Sequence, residues 1–342
     1  MKKRIISILL ALVMVLCLVP TAMACVVPTI VKGDTATNRA YSATRGLLSR
    51  QKVTYAWAQG NVNSNDWCVF GLARDGVSIP QSYIDSVKEF TPASNTSVSD
   101  CARAILTLTA CGEEVSDALL DGVTAKDNFM SCGDVIFALL ALDSRNYTVP
   151  DGGMSRDKLK TLLLGLQQDN GAWGSASYSG SEWVQPYWGP DVDTTAQAIT
   201  ALAPYCSDAN VKTAVDNALE WLKAQQITEG EHINAFGGWG SASVESTAQV
   251  IVALTALGID PTTWNERDAV KGMCTLAIPA GGFFNYNNEY DEYTTSNGYY
   301  ALVAYKRFNE NKNALYDMTD ANSTGDVTLL LDFISQLFRI CC

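Results

Sequence analysis

A helix start that recurs six times constrains this chain more than any other feature. The clearest copy is Asp191-Val192-Asp193-Thr194-Thr195-Ala196-Gln197-Ala198-Ile199-Thr200-Ala201-Leu202. Short polar side chains accept hydrogen bonds from the free N–H groups of a first helical turn, so this cluster predicts a helix N-terminus. Behind it Ala196, Ile199, Leu202 and Ala203 recur at helical spacing. Their small members let a neighbouring helix come close. Glu245-Ser246-Thr247-Ala248-Gln249 repeats the frame position for position, and Tyr293-Thr294-Thr295-Ser296-Asn297 follows it more loosely. Upstream, Ser99-Asp100-Cys101-Ala102 fits, and Met130 to Leu139 fits with Cys132 standing where Thr195 stands. A degenerate first copy begins near Asn63.

Between these starts lie second helical patterns at about 81–90, 113–122, 155–168, 208–226 and 264–276, and one more runs from Asn38 to Arg50. Six inner and six outer helices with short links predict an all-α chain, an α/α toroid. A second motif ties the pairs together. Gln51 precedes Trp57, Gln167 precedes Gly171-Ala172-Trp173, Gln226 precedes Gly237-Gly238-Trp239, and Gly281-Gly282-Phe283 is the last variant. Glutamine can bond the free groups of a helix end while the indole packs over it. These residues are therefore read as structural, with no ligand contact on Trp173 or Trp239.

Gln167-x-x-x-Gly171-x-Trp173 resembles the repeats of the terpenoid cyclase and protein prenyltransferase toroid superfamily. Asp191-Val192-Asp193-Thr194-Thr195-Ala196 is similar to that superfamily's Asp-x-Asp-Asp-Thr-Ala motif, and the resemblance spans roughly residues 38–308. It implies the fold directly. In its class II cyclases the second aspartate of the motif protonates an alkene or epoxide, a role that falls here on Asp193 with Asp191 beside it. Thr194 departs from the motif's third aspartate, and many cyclases set two helical domains around one cavity, whereas one toroid is read here. The vitamin B12 carriers of the transcobalamin and intrinsic factor type are similar as well, through Asp-x-x-Ala-x-Ala-x-x-Ala-Leu, and they bind without catalysis. Fold alone does not choose between these activities.

Two connections exceed ordinary loop length, and long aromatic loops are often functional. Residues 174–190 carry Tyr178, Trp183, Tyr187 and Trp188, and residues 284–292 carry Phe284, Tyr286 and Tyr290. Both are expected at the barrel end where the inner helices begin, either framing an opening or folding back to cover it. The expected ligand-binding set is Trp183, Tyr187, Trp188, Asp191, Asp193, Gln197, Glu245, Phe284, Tyr286, Tyr290 and Tyr293. The leading reading is an exported module that holds a small apolar or corrinoid-like ligand, or a partner, at this mouth. The alternative is a class II terpenoid cyclase-like enzyme with Asp193 as general acid, its carboxyl kept protonated by apolar surroundings. Two plainer readings remain: a scaffold with no pocket, and Asp193 with Thr194 merely capping a helix while Asp191 is solvated.

Composition narrows the setting. Lys2-Lys3-Arg4, the apolar run Ile5 to Leu18 and Ala22-Met23-Ala24 have the pattern of a cleaved export signal over residues 1–24. Without its three basic residues, 21 Lys and Arg face 36 Asp and Glu, a net charge of about −15. Such a balance excludes nucleic acid and anionic membrane surfaces as partners. Cys25, next after the cleavage site, is a candidate lipid-anchor position, the one route to a membrane. Of the ten cysteines nine remain after Cys17 leaves; Cys68, Cys101 and Cys132 are expected in the packed interior. No metal or cofactor is expected: no Cys-x-x-Cys occurs and His232 is the single histidine, read as a loop residue. Cys111-Gly112-Glu113-Glu114 lacks the glutamine that a thioester needs. The expected domain layout is a lead-in over 25–36, the toroid over 37–312 and a tail over 313–342. In that tail Leu329, Leu330, Phe333, Ile334, Leu337 and Phe338 form an amphipathic stripe.

Overall fold

The computed structural model describes residues 34–51, 64–238 and 241–321. Residues 1–24, read from the sequence as an export signal, and Cys25, Trp57, Trp239 and the apolar stripe expected in the tail lie outside the described residues. Among the described residues twelve α-helices follow one another, alternating outer and inner. The outer ones are α1 (Thr35–Gln51), α3 (Gln81–Lys88), α5 (Asp117–Thr124), α7 (Arg156–Gly165), α9 (Ala209–Gln225) and α11 (Ala269–Cys274). The inner ones are α2 (Ser64–Arg74), α4 (Val98–Ala110), α6 (Cys132–Asp143), α8 (Val192–Leu202), α10 (Val244–Ala256) and α12 (Glu292–Asn309). Each inner helix packs on the next, and α12 packs back on α2, so the ring is closed. The α/α toroid expected from the repeats is the architecture observed. None of the described helices is long and apolar enough to cross a membrane.

Five of the six inner helices, α4, α6, α8, α10 and α12, start where they do because each of them is capped. Ser97, Ser131, Asp191, Ser243 and Asp291 accept from the backbone N–H three residues on, and at α6 Asp134 completes a capping box with Ser131. Caps of this kind are worth about 1 kcal/mol each. They also correct one register. Ser131 corresponds to Asp191, so Val135, not Cys132, stands in the place of Thr195.

The fourth residue after the cap locks each pair. Thr195 Oγ1 accepts from the Trp173 N–H at 3.0 Å and donates to the Trp173 carbonyl at 3.0 Å. Thr247 Oγ1 does the same for Phe236, at 2.9 and 3.2 Å, and Thr295 Oγ1 accepts from the Phe283 N–H at 3.0 Å. Phe236 is thus the counterpart of Trp173 and Phe283, which corrects the assignment of that position to Trp239. Two residues before each ring the backbone is left-handed, at Gly171 (φ 87°), Asn234 (φ 75°) and Gly281 (φ 110°). Asparagine tolerates this region better than other side-chain-bearing residues, which is why the middle copy manages without glycine. Trp173 is fully buried, and its indole N–H donates to the Leu163 carbonyl in the last turn of α7 at 2.8 Å. Gln167 spans the loop and the next outer helix, donating to the carbonyls of Gly171 at 2.7 Å and Ala214 at 2.8 Å.

Several outer helices differ in extent from their patterns. The stretch 113–122 becomes helical only from Asp117, capped by Ser116. The stretch 264–276 breaks into a 3₁₀ turn, Trp264–Glu266, and the short α11, with Asn265 left-handed at φ 58°. The core is continuous around the ring and includes Cys68, Cys101 and Cys132, all buried; burial pushes the Cys101 and Cys132 thiols up to about 12.

Candidate functional site

The inner-helix N-termini surround one mouth of the barrel. Below it lies a cavity of about 330 Å³ to which all six inner helices contribute, through Trp67, Arg103, Phe137, Gln197, Gln249 and Asn297 among others. Counting from each cap, Arg103, Phe137, Gln197, Gln249 and Asn297 are all the sixth residue of their copy. Nearly two turns beyond the cap, that position lines the central cavity. Gln249 donates to Asn297 Oδ1 at 3.2 Å and to the Tyr300 hydroxyl, which itself bonds Asn297. Arg103 pairs with Asp66 and, at 2.5 Å, with Asp100, while Tyr83 donates to Asp66. The chamber is therefore polar on two sides and aromatic where Trp67 packs against Phe137, centroids 5.6 Å apart.

Tyr316 forms the floor. It stacks on Phe70 at 5.1 Å and also borders a second cavity of about 530 Å³ at the opposite end, lined by Leu140, Thr200 and Val252. Residues 313–321 hold it there. Arg74 donates to the carbonyls of Leu315 at 2.8 Å, Ala314 at 3.1 Å and Asp317 at 2.8 Å, and pairs with Asp320 at 2.9 Å.

A groove of about 700 Å³ opens beside the chamber, between the starts of α8 and α10. Trp188, Asp191, Asp193, Glu245, Tyr286 and Tyr293 line it, with Ser246 and the β4 strand, Ser241–Ser243. Tyr293 borders both spaces. The two aspartates have different tasks, opposite to the capping expected from sequence. Asp191 is the cap, accepting from the Thr194 N–H at 2.6 Å and its hydroxyl at 2.9 Å. Asp193 is not. Its Oδ1 is buried with no hydrogen-bond partner, and its carboxyl is pushed up to about 6, first by burial and then by the charges of Asp191 and Glu245, against a stabilising bond from Ser246. Glu245 is satisfied by Ser243 at 2.9 Å and by the Thr294 hydroxyl. Burial, with Asp193 and Glu245 nearby, raises the Tyr293 phenol.

The remaining expected residues lie elsewhere. Trp183 sits in a two-stranded hairpin, β1 (Ser177–Tyr178) against β2 (Trp183–Val184), and turns to Tyr178 at 5.6 Å. Tyr187 stands fully in solvent. Phe284 and Tyr290 pair across an antiparallel bridge, and neither lines the groove or the chamber. Trp188 and Tyr286 thus line the groove, while the hairpin pairs with the segment just ahead of α6, the Tyr178 N–H on the Met130 carbonyl at 2.8 Å.

A family model, the squalene-hopene cyclase C-terminal domain, matches residues 131–301, half of the chain. The chain belongs to that family. The matched segment begins at the α6 cap and ends inside α12, so four of the six inner helices of this squalene-hopene cyclase-like toroid fall within it, with Asp191, Asp193 and Glu245. No curated protein matches the chain. Arg103, Gln249, Asn297, Trp67 and Tyr300 were not foreseen as lining. Aligning the copies on their caps would have found the first three.

Proposed function

We propose that the chain is an exported binding module that holds a small molecule at the mouth of its toroid. The carrying observation is the groove of about 700 Å³ between α8 and α10, walled by Trp188, Tyr286 and Tyr293. That size is typical of small-molecule sites, roughly 300–1,000 Å³. Export follows from the residue pattern of the first 24 positions. Mass spectrometry of the mature chain purified from its own culture medium tests the reading. A stoichiometric small molecule, absent from a Trp188→Ala and Tyr293→Ala double variant, is the expected result; an empty wild type counts against it.

A class II cyclase-like reaction is the second reading, and Asp193 is the observation that favours it. Two features weigh against that chemistry. Burial pushes the Asp193 carboxyl up only to about 6, below neutral pH, whereas protonating an alkene requires the acid form. The chamber next to it carries amides and the Arg103 ion pairs rather than continuous apolar walls. Incubation with linear isoprenoids is expected to give no product from the wild type. A product that disappears in Asp193→Asn would establish the enzyme instead.

A further inference from the structure

The mouth carries more negative charge than its architecture uses. Six helix N-termini bring partial positive charge there, and acids in the first turns answer it. Asp66 and Asp100 are held by Arg103, Asp134 by the Ser131 N–H at 2.9 Å, Asp191 by Thr194, Glu245 by Ser243, and Asp291 by the Thr294 N–H at 2.7 Å. Asp193 is the exception. Among the described residues it alone has a carboxylate oxygen that is buried without a partner, and it lines the groove. Glu245 stands beside it, and no lysine or arginine lines the same groove. A buried, uncompensated carboxylate is costly unless something completes it.

Resting on the binding reading above, we infer that the groove takes an organic cation, its ammonium centre against Asp193 and Glu245 and enclosed by the rings of Trp188, Tyr286 and Tyr293. The ring faces decide between kinds of cation. Calcium or magnesium requires six or more oxygen ligands, and this groove offers carboxylates on one side only. An alkylated ammonium needs a counter-charge together with aromatic faces, both of which are present. Tyr286 and Tyr293 are 80% and 41% exposed and Trp188 is 59% exposed, so part of each ring faces the solvent from which a ligand arrives. The net charge of the chain, −12, draws cations toward it.

The probe pair is choline and its uncharged isostere, in which carbon replaces the quaternary nitrogen. Both are titrated by calorimetry into the full chain at pH 7.5, with Asp193→Asn and Trp188→Leu alongside. Asp193→Asn leaves the Asp191 cap intact and Trp188 is largely exposed, so both variants fold, as circular dichroism will verify. Choline is expected to bind at least about tenfold tighter than the isostere, and to lose about tenfold in Asp193→Asn and several-fold in Trp188→Leu; tenfold is ~1.4 kcal/mol. Equal affinity for the isostere, or unchanged choline affinity in Asp193→Asn, overturns the inference. If the isostere binds well, the mouth is a binding site and only the ligand class is wrong. If neither probe binds, the cation is excluded, and the copurification experiment judges the binding reading separately. Displacement of choline by calcium at equimolar concentration would assign the carboxylates to an inorganic ion and also overturn it.

Discussion

Asp191 and Asp193 are two residues apart and make opposite contributions to stability. Asp191 caps α8 through two bonds to Thr194, so Asp191→Ala is expected to cost ~1 kcal/mol in urea unfolding. Asp193 has a carboxyl raised to about 6 from the usual carboxylate range, so its ionisation opposes folding. The favourable state is present below the unfolded pKa and is lost as pH rises through about 6. Asp193→Asn is therefore expected to stabilise the fold by on the order of 1 kcal/mol at pH 7.5 and to have little effect near pH 4. Equal melting temperatures for wild type and Asp193→Asn at both pH values would show that the carboxyl is not strained. A group that weakens its own fold points to a ligand. The sequence showed that two acids precede α8, yet their roles depend on which one takes the non-helical cap conformation, and the spacing Asp-x-Asp permits either.

At the scale of elements, the helix starts were the most legible part, because caps and small-residue faces are local. The inter-helix locks were less so. Thr195, Thr247 and Thr295 read as ordinary first-turn residues, and only the approach of the preceding loop reveals their bonds to Trp173, Phe236 and Phe283. Phe236 is hidden in the sequence because Asn234 replaces the glycine that marks the left-handed turn in the other copies, and the Gly237-Gly238 pair points to Trp239 instead. The segment 313–321, whose sequence pattern reads as the start of a tail, closes the far end of the barrel, with Leu315 and Met318 buried and the Met318 N–H on the Ser144 carbonyl at 2.7 Å. Tyr316→Ala removes the floor between the two cavities and the stacking on Phe70. It is expected to destabilise by ~2–4 kcal/mol in chemical denaturation and to let longer ligands into the mouth. A variant of unchanged stability would mean that the floor is not packed.

The whole molecule is distinguished from an open stack of repeats by its seam. In a solenoid each repeat meets only its neighbours, so stability is a sum of local terms and the ends fray. Here α12 returns to α2, and one carboxylate fastens the join. Asp75, its side chain 1% exposed, accepts from the hydroxyls of Tyr41 at 2.6 Å and Tyr299 at 2.8 Å, and pairs with Arg45 at 2.6 Å and Lys306 at 3.0 Å. It joins the first outer helix, the end of the first inner helix and the last inner helix. Nothing in the local pattern around Arg74-Asp75-Gly76 announces this, since the partners lie 34 and 224 residues away. Removing one side of a buried charge cluster costs about 3–5 kcal/mol, so Asp75→Ala is expected to lower stability by that amount. Because closure couples every helix to the seam, the loss should appear as one cooperative transition, with far-ultraviolet dichroism and tryptophan fluorescence moving together. If hydrogen exchange instead showed α1 and α12 opening while α6 and α8 kept wild-type protection, the ring would be behaving as an open solenoid. The chamber, to which all six inner helices contribute, and the groove beside it would then lack the rigidity that a defined binding site requires.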